Sequence, residues 1–198
     1  MIMKNGLVFQ EDGTFCQKDL YVENGKFVAT EAEVTDKTEF DASGLKIIPG
    51  LVDVHSHGAF GHDFCDADPE GLKVTLKYEK EHGITSYCPT SMTLDKERLL
   101  DIFATAGKVE ESPELARIIG INMEGPLIDI KKKGAQAGDY IRVPDASFFR
   151  KCNNEVLQGK SKSYYHILLS LLHHPFLTLP LALVHLVIQL FLNCQLDV

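Results

Sequence analysis

The sequence PGLVDVHSHG, at residues 49–58, indicates how the chain is built, because an apolar run follows a Pro-Gly pair and ends in two histidines. Residues 51–55 have the apolar, β-branched character of a buried strand. Side chains repeat every second residue along a strand, so Asp53, His55 and His57 are predicted to lie on one face. The Pro-Gly pair itself favours a module boundary at about residue 50.

A strand followed by a helix recurs three times after this boundary. The predicted strands cover residues 51–55, 84–88 and 117–122, and Pro89 is expected to end the second of them. The predicted helices begin next to Asp68, Asp95 and Asp145, because a carboxylate can accept hydrogen bonds from the free N–H groups of a first turn. Three such units in succession predict an α/β fold with a parallel sheet and right-handed crossovers.

The first 50 residues have a different pattern. Short apolar runs at residues 6–9, 19–22 and 26–29 predict strands. Asn24 and Gly25 lie between the last two runs, and an Asn-Gly pair favours a tight hairpin turn because both central residues need a positive φ. This part of the chain is therefore predicted to form a small antiparallel β module.

Residues 157–198 form a third segment with another composition. Only Lys160, Lys162 and Asp197 carry charge there, and residues 163–196 contain no Asp, Glu, Lys or Arg. An apolar run of this length is typical of a transmembrane helix, although histidines and two prolines within it argue against a span. A buried helical hairpin is an alternative. We favour a third interpretation, a frameshifted or non-native tail, because charge disappears where the strand-helix pattern should continue.

The overall composition excludes some classes of function. The 198 residues carry a formal net charge of −8 and contain no Lys/Arg-rich run, so nucleic acid is not an expected partner. The five cysteines are scattered and form no C-x-x-C pair, which favours a reducing compartment. The N-terminus lacks the apolar segment of a secretion signal. We therefore expect a cytoplasmic protein without a membrane partner.

His55, His57 and Glu124 are the candidate metal ligands. The two histidines end the first predicted parallel strand, and Glu124 closes the third, just before a Gly-Pro pair. The carboxyl ends of parallel strands meet at one edge of the sheet, so the three side chains are expected to converge. Imidazole and carboxylate groups suit Zn²⁺ or a similar divalent ion. Taken alone, a histidine pair also arises by chance, and Glu124 could equally pair with Lys131.

Four segments of the sequence belong to one larger pattern. They are PGLVDVHSHG at residues 49–58 with Gly61 and Asp63 after it, GITS at 83–86 with Pro89 and Thr90, MEGP at 123–126, and KKGAQ at 132–136. Together they resemble the N-acetylglucosamine-6-phosphate deacetylase family of the amidohydrolase superfamily. The first segment is shared by many amidohydrolases, whereas the last two at this distance from it are much more specific. The resemblance covers about residues 1–156.

The resemblance implies a small β domain followed by a (β/α)₈ barrel. It implies one or two divalent ions, with Zn²⁺ expected, and hydrolysis of the acetamide of N-acetylglucosamine 6-phosphate to glucosamine 6-phosphate and acetate. Glu124 would be a metal ligand, and His55 and His57 would hold a second ion where one is present. Ala135 and Gln136 would contact the substrate, although many members have histidine where this chain has Gln136. The resemblance also allows a homodimer as the expected assembly.

A complete barrel needs about 250 residues, so the chain is expected to hold about three β-α units of an incomplete barrel. The predicted segments are a β module over residues 1–50, the truncated barrel over 51–156, and an apolar helical tail over 157–198. The family's catalytic aspartate comes from a later strand, and no matching motif follows Val156. No catalytic residue is therefore assigned, and the isolated chain is expected to be inactive.

Two other interpretations of the function stay open. One is another amidohydrolase, such as a dihydroorotase-like cyclic amidase, which would use a carboxylated lysine between two metal ions. The other is a non-catalytic membrane-anchored or interaction protein that depends on the apolar residues 163–196.

Overall fold

The computed structural model describes residues 1–157 and 166–169. Within these residues the chain forms two compact units, one over residues 1–49 and the other from residue 50 onward. The boundaries of the three segments predicted from the sequence remain a prediction.

The first unit is a five-stranded sheet. Its strands are β1 (Ile2–Phe9), β2 (Phe15–Glu23), β3 (Lys26–Val28), β4 (Glu39–Asp41) and β5 (Lys46–Ile47). The strand order is β3-β2-β1-β4, and β5 also pairs with β1. β2 runs antiparallel to both β1 and β3, whereas β4 and β5 run parallel to β1. Asn24 and Gly25 have φ values of 51° and 76° between β2 and β3, which confirms the predicted hairpin turn.

The second unit alternates strands and helices. Its elements are β6 (Leu51–Ser56), β7 (Gly58–Ala59), β8 (His62–Asp63), α1 (Pro69–Glu81), β9 (Ile84–Ser91), α2 (Lys96–Lys108), β10 (Arg117–Ile118), β11 (Gly120–Met123), α3 (Ala146–Leu157) and β12 (His166–Leu169). β9 lies between β6 on one side and β10 and β11 on the other, and β12 follows β11. All these pairs are parallel, so the predicted α/β fold with a parallel sheet is confirmed.

The three helices begin where the sequence predicted, because an aspartate accepts hydrogen bonds from each first turn. Asp68 accepts from the backbone N–H of Glu70, Asp95 from that of Arg98, and Asp145 from those of Ser147 and Phe148. These caps fix where the chain leaves each preceding loop and enters the helix that packs on the sheet.

One hydrophobic core joins the helices to the sheet. Its fully buried members are Leu76 of α1, Leu99, Ile102, Phe103 and Ala106 of α2, Tyr87, Ile121 and Met123 of the strands, and Cys152 of α3. Burial of one large apolar side chain contributes about 1.5–3 kcal/mol. This core holds the parallel strands side by side, and their carboxyl ends are thereby fixed relative to one another.

The prediction that Pro89 ends its strand is wrong, since β9 continues to Ser91. Proline lacks a backbone N–H and is tolerated in sheets at irregular positions. Pro89 pairs with Ser56 of β6, directly after a register shift between Asp53 and Ser56. The irregular pairing on this side of β9 accommodates the proline without ending the strand.

The strand β12 lies inside the segment that the sequence predicted to be an apolar helical tail. Its backbone pairs in parallel with β11, with His166 opposite Gly120, so these four residues are a strand and not a helix. The rest of the predicted tail lies outside the described residues. Within the part of the chain that the structure describes, no helix combines the length and apolar character needed to cross a bilayer.

Candidate metal centre

His55, His57 and Glu124 converge at the carboxyl edge of the parallel sheet. His55 lies near the end of β6, His57 follows β6, and Glu124 follows β11. The Oε2 atom of Glu124 lies 3.1 Å from Nε2 of His55 and 3.4 Å from Nε2 of His57. The nearest ligand-type atoms of the three side chains all lie within 4.8 Å of one another. The structure therefore brings together the three residues that the sequence singled out.

The ring of His57 is held by β9, which lies between β6 and β11 in the sheet. Its Nδ1 atom lies 3.0 Å from the carbonyl oxygen of Thr90 in β9. A carbonyl can only accept, so Nδ1 carries a hydrogen, and Nε2 is the ring nitrogen that faces Glu124 and could bind an ion. A hydrogen bond of this kind fixes both the tautomer and the orientation of a ligating histidine.

The donor set fits a divalent ion. Ligand atoms around a tetrahedral ion with bonds of about 2.0–2.1 Å are about 3.4 Å apart, close to the two separations measured from Glu124. The Glu124 side chain is 12% exposed, whereas those of His55 and His57 are 39% and 35% exposed. The cluster is therefore open on one side, where a water molecule or a substrate could approach.

The backbone at Glu124 is held by Thr93, two residues after the end of β9. The hydroxyl of Thr93 donates to the carbonyl oxygen of Glu124 at 3.2 Å. Gly125 follows with a φ of 79°, and a Cβ atom at this position would collide with the Thr93 hydroxyl. Close approach of the Thr93 side chain to the backbone of Gly125, together with the positive φ, thus favours glycine next to the carboxylate.

Asp53 does not join the cluster, which corrects the prediction that it shares a face with the two histidines. The register shift between Asp53 and Ser56 breaks the regular alternation of β6. Asp53 instead accepts a hydrogen bond from the backbone N–H of His55 at 2.8 Å. The carboxylate therefore binds the local backbone of β6, and among the described residues it is outside the ligand group.

Ala135 and Gln136 lie in the loop between β11 and α3. Ala135 is exposed, whereas Gln136 is buried and accepts a hydrogen bond from the backbone N–H of Thr93 at 2.7 Å. The amide nitrogen of Gln136 lies 3.7 Å from the Met92 sulfur atom. Gln136 thus anchors the loop to the residue whose hydroxyl holds Glu124. A substrate contact by Ala135 or Gln136 stays a prediction.

Several residues that hold the site were missed by the sequence analysis. Thr93 acts through its hydroxyl and lies in a mostly polar stretch after Pro89, which was the available signal. Thr90 acts through its backbone carbonyl, so its side chain gave no signal. Tyr87 and Asn122 gave no such signal, because their partners are far away along the chain. A tyrosine hydroxyl is a hydrogen-bond donor at neutral pH, and burial raises the pKa of Tyr87 further.

The chain is similar to known deacetylases in sequence. It is 32% identical to N-acetylglucosamine-6-phosphate deacetylase of Mus musculus over 146 residues, which are 69% of this chain and 36% of the mouse protein. It is 34% identical to the Bacillus subtilis (strain 168) enzyme of the same name over 113 residues, 55% of this chain and 28% of that protein. No protein-family model matches the chain.

The fold is similar to that of a solved deacetylase. The crystal structure of N-acetylglucosamine-6-phosphate deacetylase from Thermotoga maritima superposes with a TM-score of 0.59 at 28% sequence identity, over 76% of this chain and 39% of that one. The chain spans between 28 and 40% of the length of the curated relatives compared with it. The similarity thus concerns the N-terminal part of these relatives, as the sequence motifs predicted.

Proposed function

We infer that this chain corresponds to the N-terminal part of the N-acetylglucosamine-6-phosphate deacetylases, and we propose that it provides divalent-ion ligands for that reaction. The observation that carries this proposal is the convergence of His55, His57 and Glu124 on one point. The complete protein would hydrolyse the acetamide of N-acetylglucosamine 6-phosphate to glucosamine 6-phosphate and acetate. This assignment makes it a hydrolase of amino-sugar metabolism.

The chain's own side chains would hold the ion through Nε2 of each histidine and a carboxylate oxygen of Glu124. We propose Zn²⁺ as the ion, with one or two per protein, because imidazole and carboxylate ligands suit it. A bound divalent ion supplies Lewis acidity and lowers the pKa of a coordinated water. Thr90 keeps the His57 ring in the tautomer that leaves Nε2 free, and Thr93 holds the backbone of Glu124.

The position of the cluster agrees with a barrel enzyme. We propose that β6, β9, β11 and β12 are consecutive strands of a (β/α)₈ barrel, in which active sites lie at the carboxyl ends of the strands. Ala135 and Gln136 would then lie in a loop at the same end and contact the amino-sugar phosphate. A cytoplasmic location and a homodimeric assembly complete the proposal.

A chimeric enzyme tests this function. Residues 1–156 are joined to the part of the mouse relative that follows its matched segment, and acetate release from N-acetylglucosamine 6-phosphate is measured with Zn²⁺ present. We expect activity that falls more than about a hundredfold in Glu124→Ala, because loss of a ligand removes the ion. Glu70→Ala is the matched control, since Glu70 is an exposed glutamate on α1.

The chimera contradicts the proposal in either of two ways. One is a folded, Zn²⁺-loaded chimera that releases no acetate. The other is a Glu124→Ala variant as active as the Glu70→Ala control. Circular dichroism of each variant establishes that the protein compared is folded.

A further inference from the structure

The two carbonyl groups on either side of His55 are held by side chains from neighbouring strands. The amide Nδ2 of Asn122 donates to the carbonyl oxygen of Val54 at 3.0 Å. The hydroxyl of Tyr87 lies 3.1 Å from the carbonyl oxygen of Ser56 and 3.2 Å from the Ser56 hydroxyl. The backbone that carries His55 is thus fixed immediately before and immediately after the histidine.

These contacts occur where the backbone ladder between β6 and β9 is irregular. The pairing shifts register between Asp53 and Ser56, and Ser56 lies opposite Pro89, which has no N–H to donate. Regular strand pairing therefore does not determine the position of this segment. The side chains of Tyr87 and Asn122 supply donors at the point where the ladder is short of them.

Asn122 also connects β11, which precedes Glu124, to β6, which carries His55. It lies in β11, two residues before Glu124, and its partner Val54 precedes His55 by one residue and lies 68 residues from Asn122 in the chain. β9 separates β6 from β11 in the sheet, so this hydrogen bond spans the intervening strand. It links the strand of the carboxylate to the strand of the imidazoles.

The chemistry of Asn122 indicates that the donor itself is what the site requires. The residue is buried, and its Oδ1 atom has no hydrogen-bond partner among the described residues. A buried acceptor without a partner costs free energy, whereas a leucine of similar size would not incur that cost. An apolar residue at this position would lack the hydrogen bond from Nδ2 to the carbonyl oxygen of Val54.

We propose that Asn122 and Tyr87 are positioning residues that set the spacing between His55 and Glu124, so that divalent-ion affinity depends on both. This inference rests on the proposed function of the cluster as a metal centre. Neither side chain is a ligand in the cluster. Each acts through the backbone of a residue next to His55.

Metal titration of the untagged 198-residue chain tests this role. Co²⁺ is added to the metal-free protein, its visible absorption bands are followed, and Zn²⁺ affinity is measured by competition. We expect Tyr87→Phe and Asn122→Leu to bind Co²⁺ and Zn²⁺ about 10–100-fold more weakly than the wild-type chain, with altered absorption bands, because groups that orient ligands have effects of this size.

Thr105→Val is the matched control. The buried Thr105 hydroxyl on α2 lies within donating distance of the carbonyl oxygens of Ala67, at 3.2 Å, and Asp101, at 3.0 Å, and neither of these is next to a residue of the cluster. Its removal likewise deletes a buried hydrogen bond to the backbone. We expect the control to bind Co²⁺ within about threefold of the wild-type affinity, even if its urea-unfolding midpoint falls as far as those of the other variants.

The outcomes separate this inference from the proposed function. Wild-type affinity in either Tyr87→Phe or Asn122→Leu overturns the positioning role proposed for both, and so does an equal loss of affinity in the Thr105→Val control. If Asn122→Leu does not fold, Tyr87→Phe decides, because it removes a single oxygen atom. A wild-type chain that binds neither ion overturns the proposed metal centre, and the inference fails with it.

Discussion

The Nε2 atom of His55 lies 3.1 Å from the Oε2 atom of Glu124, although 69 residues separate the two in the chain. Two β-α units lie between them, and the parallel arrangement of β6, β9 and β11 returns the chain to the same edge of the sheet. The cluster therefore exists only when the second unit is folded. Metal binding and folding of this unit are consequently coupled.

This coupling predicts that a divalent ion stabilises the folded chain. At a free Zn²⁺ concentration a hundred times the Kd, the free energy of unfolding is expected to rise by about 2.7 kcal/mol. The measurement is urea unfolding with and without Zn²⁺, followed by circular dichroism. In Glu124→Ala the gain is expected to disappear, and an undiminished gain in that variant would show that the ion binds elsewhere.

A methyl group at Gly125 is expected to disturb Glu124 directly. Gly125 and Gly61 have similar φ values, 79° and 81°, but an added Cβ meets Thr93 at the first position and open space at the second. Gly61→Ala is therefore expected to cost about 1–2 kcal/mol, the cost of a left-handed conformation in a non-glycine residue. Gly125→Ala is expected to cost more and also to weaken Zn²⁺ binding.

Urea unfolding and Zn²⁺ titration of the two alanine variants check this expectation. Equal losses of stability in Gly125→Ala and Gly61→Ala, with Zn²⁺ affinity unchanged in both, would mean that the contact between Thr93 and Gly125 does not constrain the site.

The thiols are expected to differ strongly in reactivity. Burial raises the pKa of Cys65 to about 11, and burial with the nearby Asp53 charge raises that of Cys88 to about 12. Alkylation needs the thiolate, and at pH 8 a thiol of pKa 11 is ionised to about one part in a thousand. Exposed Cys16 is therefore expected to react with iodoacetamide well before Cys65, Cys88 and buried Cys152.

Mass spectrometry of peptides after timed labelling measures this order. Modification of Cys88 as fast as that of Cys16 in the native chain would contradict the packing of β9 against its neighbours. Labelling in urea is the control, since unfolding removes the differences in burial.

The cap of α3 is expected to make stability depend on pH. Hydrogen bonds from the Ser147 hydroxyl, the Phe148 N–H and Lys96 hold the pKa of Asp145 well below its usual value of 3.8. A carboxyl group with a lowered pKa in the folded state stabilises the protein above its unfolded pKa, and this contribution is lost as the pH falls toward the folded value. Asp145→Asn is expected to lower the urea midpoint at pH 7.

The difference between the Asp145→Asn and wild-type midpoints should shrink as the pH falls below about 4, where the aspartate of the unfolded chain becomes protonated. Asp101→Asn removes an equal charge from an exposed position inside α2 and serves as the control. A midpoint difference for Asp145→Asn that stays constant from pH 7 to pH 3 would contradict the account of this cap.

Local chemistry made much of the fold predictable. The three aspartate caps and the Asn24-Gly25 turn depend on neighbouring residues alone, and each occurs where the sequence indicated. The course of β9 through Pro89 was not predictable in this way, because it depends on the irregular pairing of β6 with a strand some 30 residues later. The strand β12 likewise follows from its pairing with β11 and not from its composition.

In the candidate site, too, some features were predictable from the sequence and others depend on contacts between distant residues. The identity of His55, His57 and Glu124 followed from residue type and from the rule that parallel strands end at one edge. The alternation rule failed at Asp53, because a register shift lies between it and the histidines. The roles of Asn122 and Tyr87 depend on which carbonyls lie within reach in the folded sheet, and a single sequence does not contain that information.

Equilibrium dialysis of the untagged chain against Zn²⁺ measures whether His55, His57 and Glu124 hold an ion, with bound metal quantified by mass spectrometry after removal of adventitious ions. A metal centre at these residues predicts at least one tightly bound Zn²⁺ per wild-type chain, and the same in His82→Ala, which removes an exposed histidine at the end of α1. It predicts loss of that ion in His55→Ala, His57→Ala and Glu124→Ala. A wild-type chain that binds no Zn²⁺, or a Glu124→Ala chain that binds it as tightly, would contradict the account.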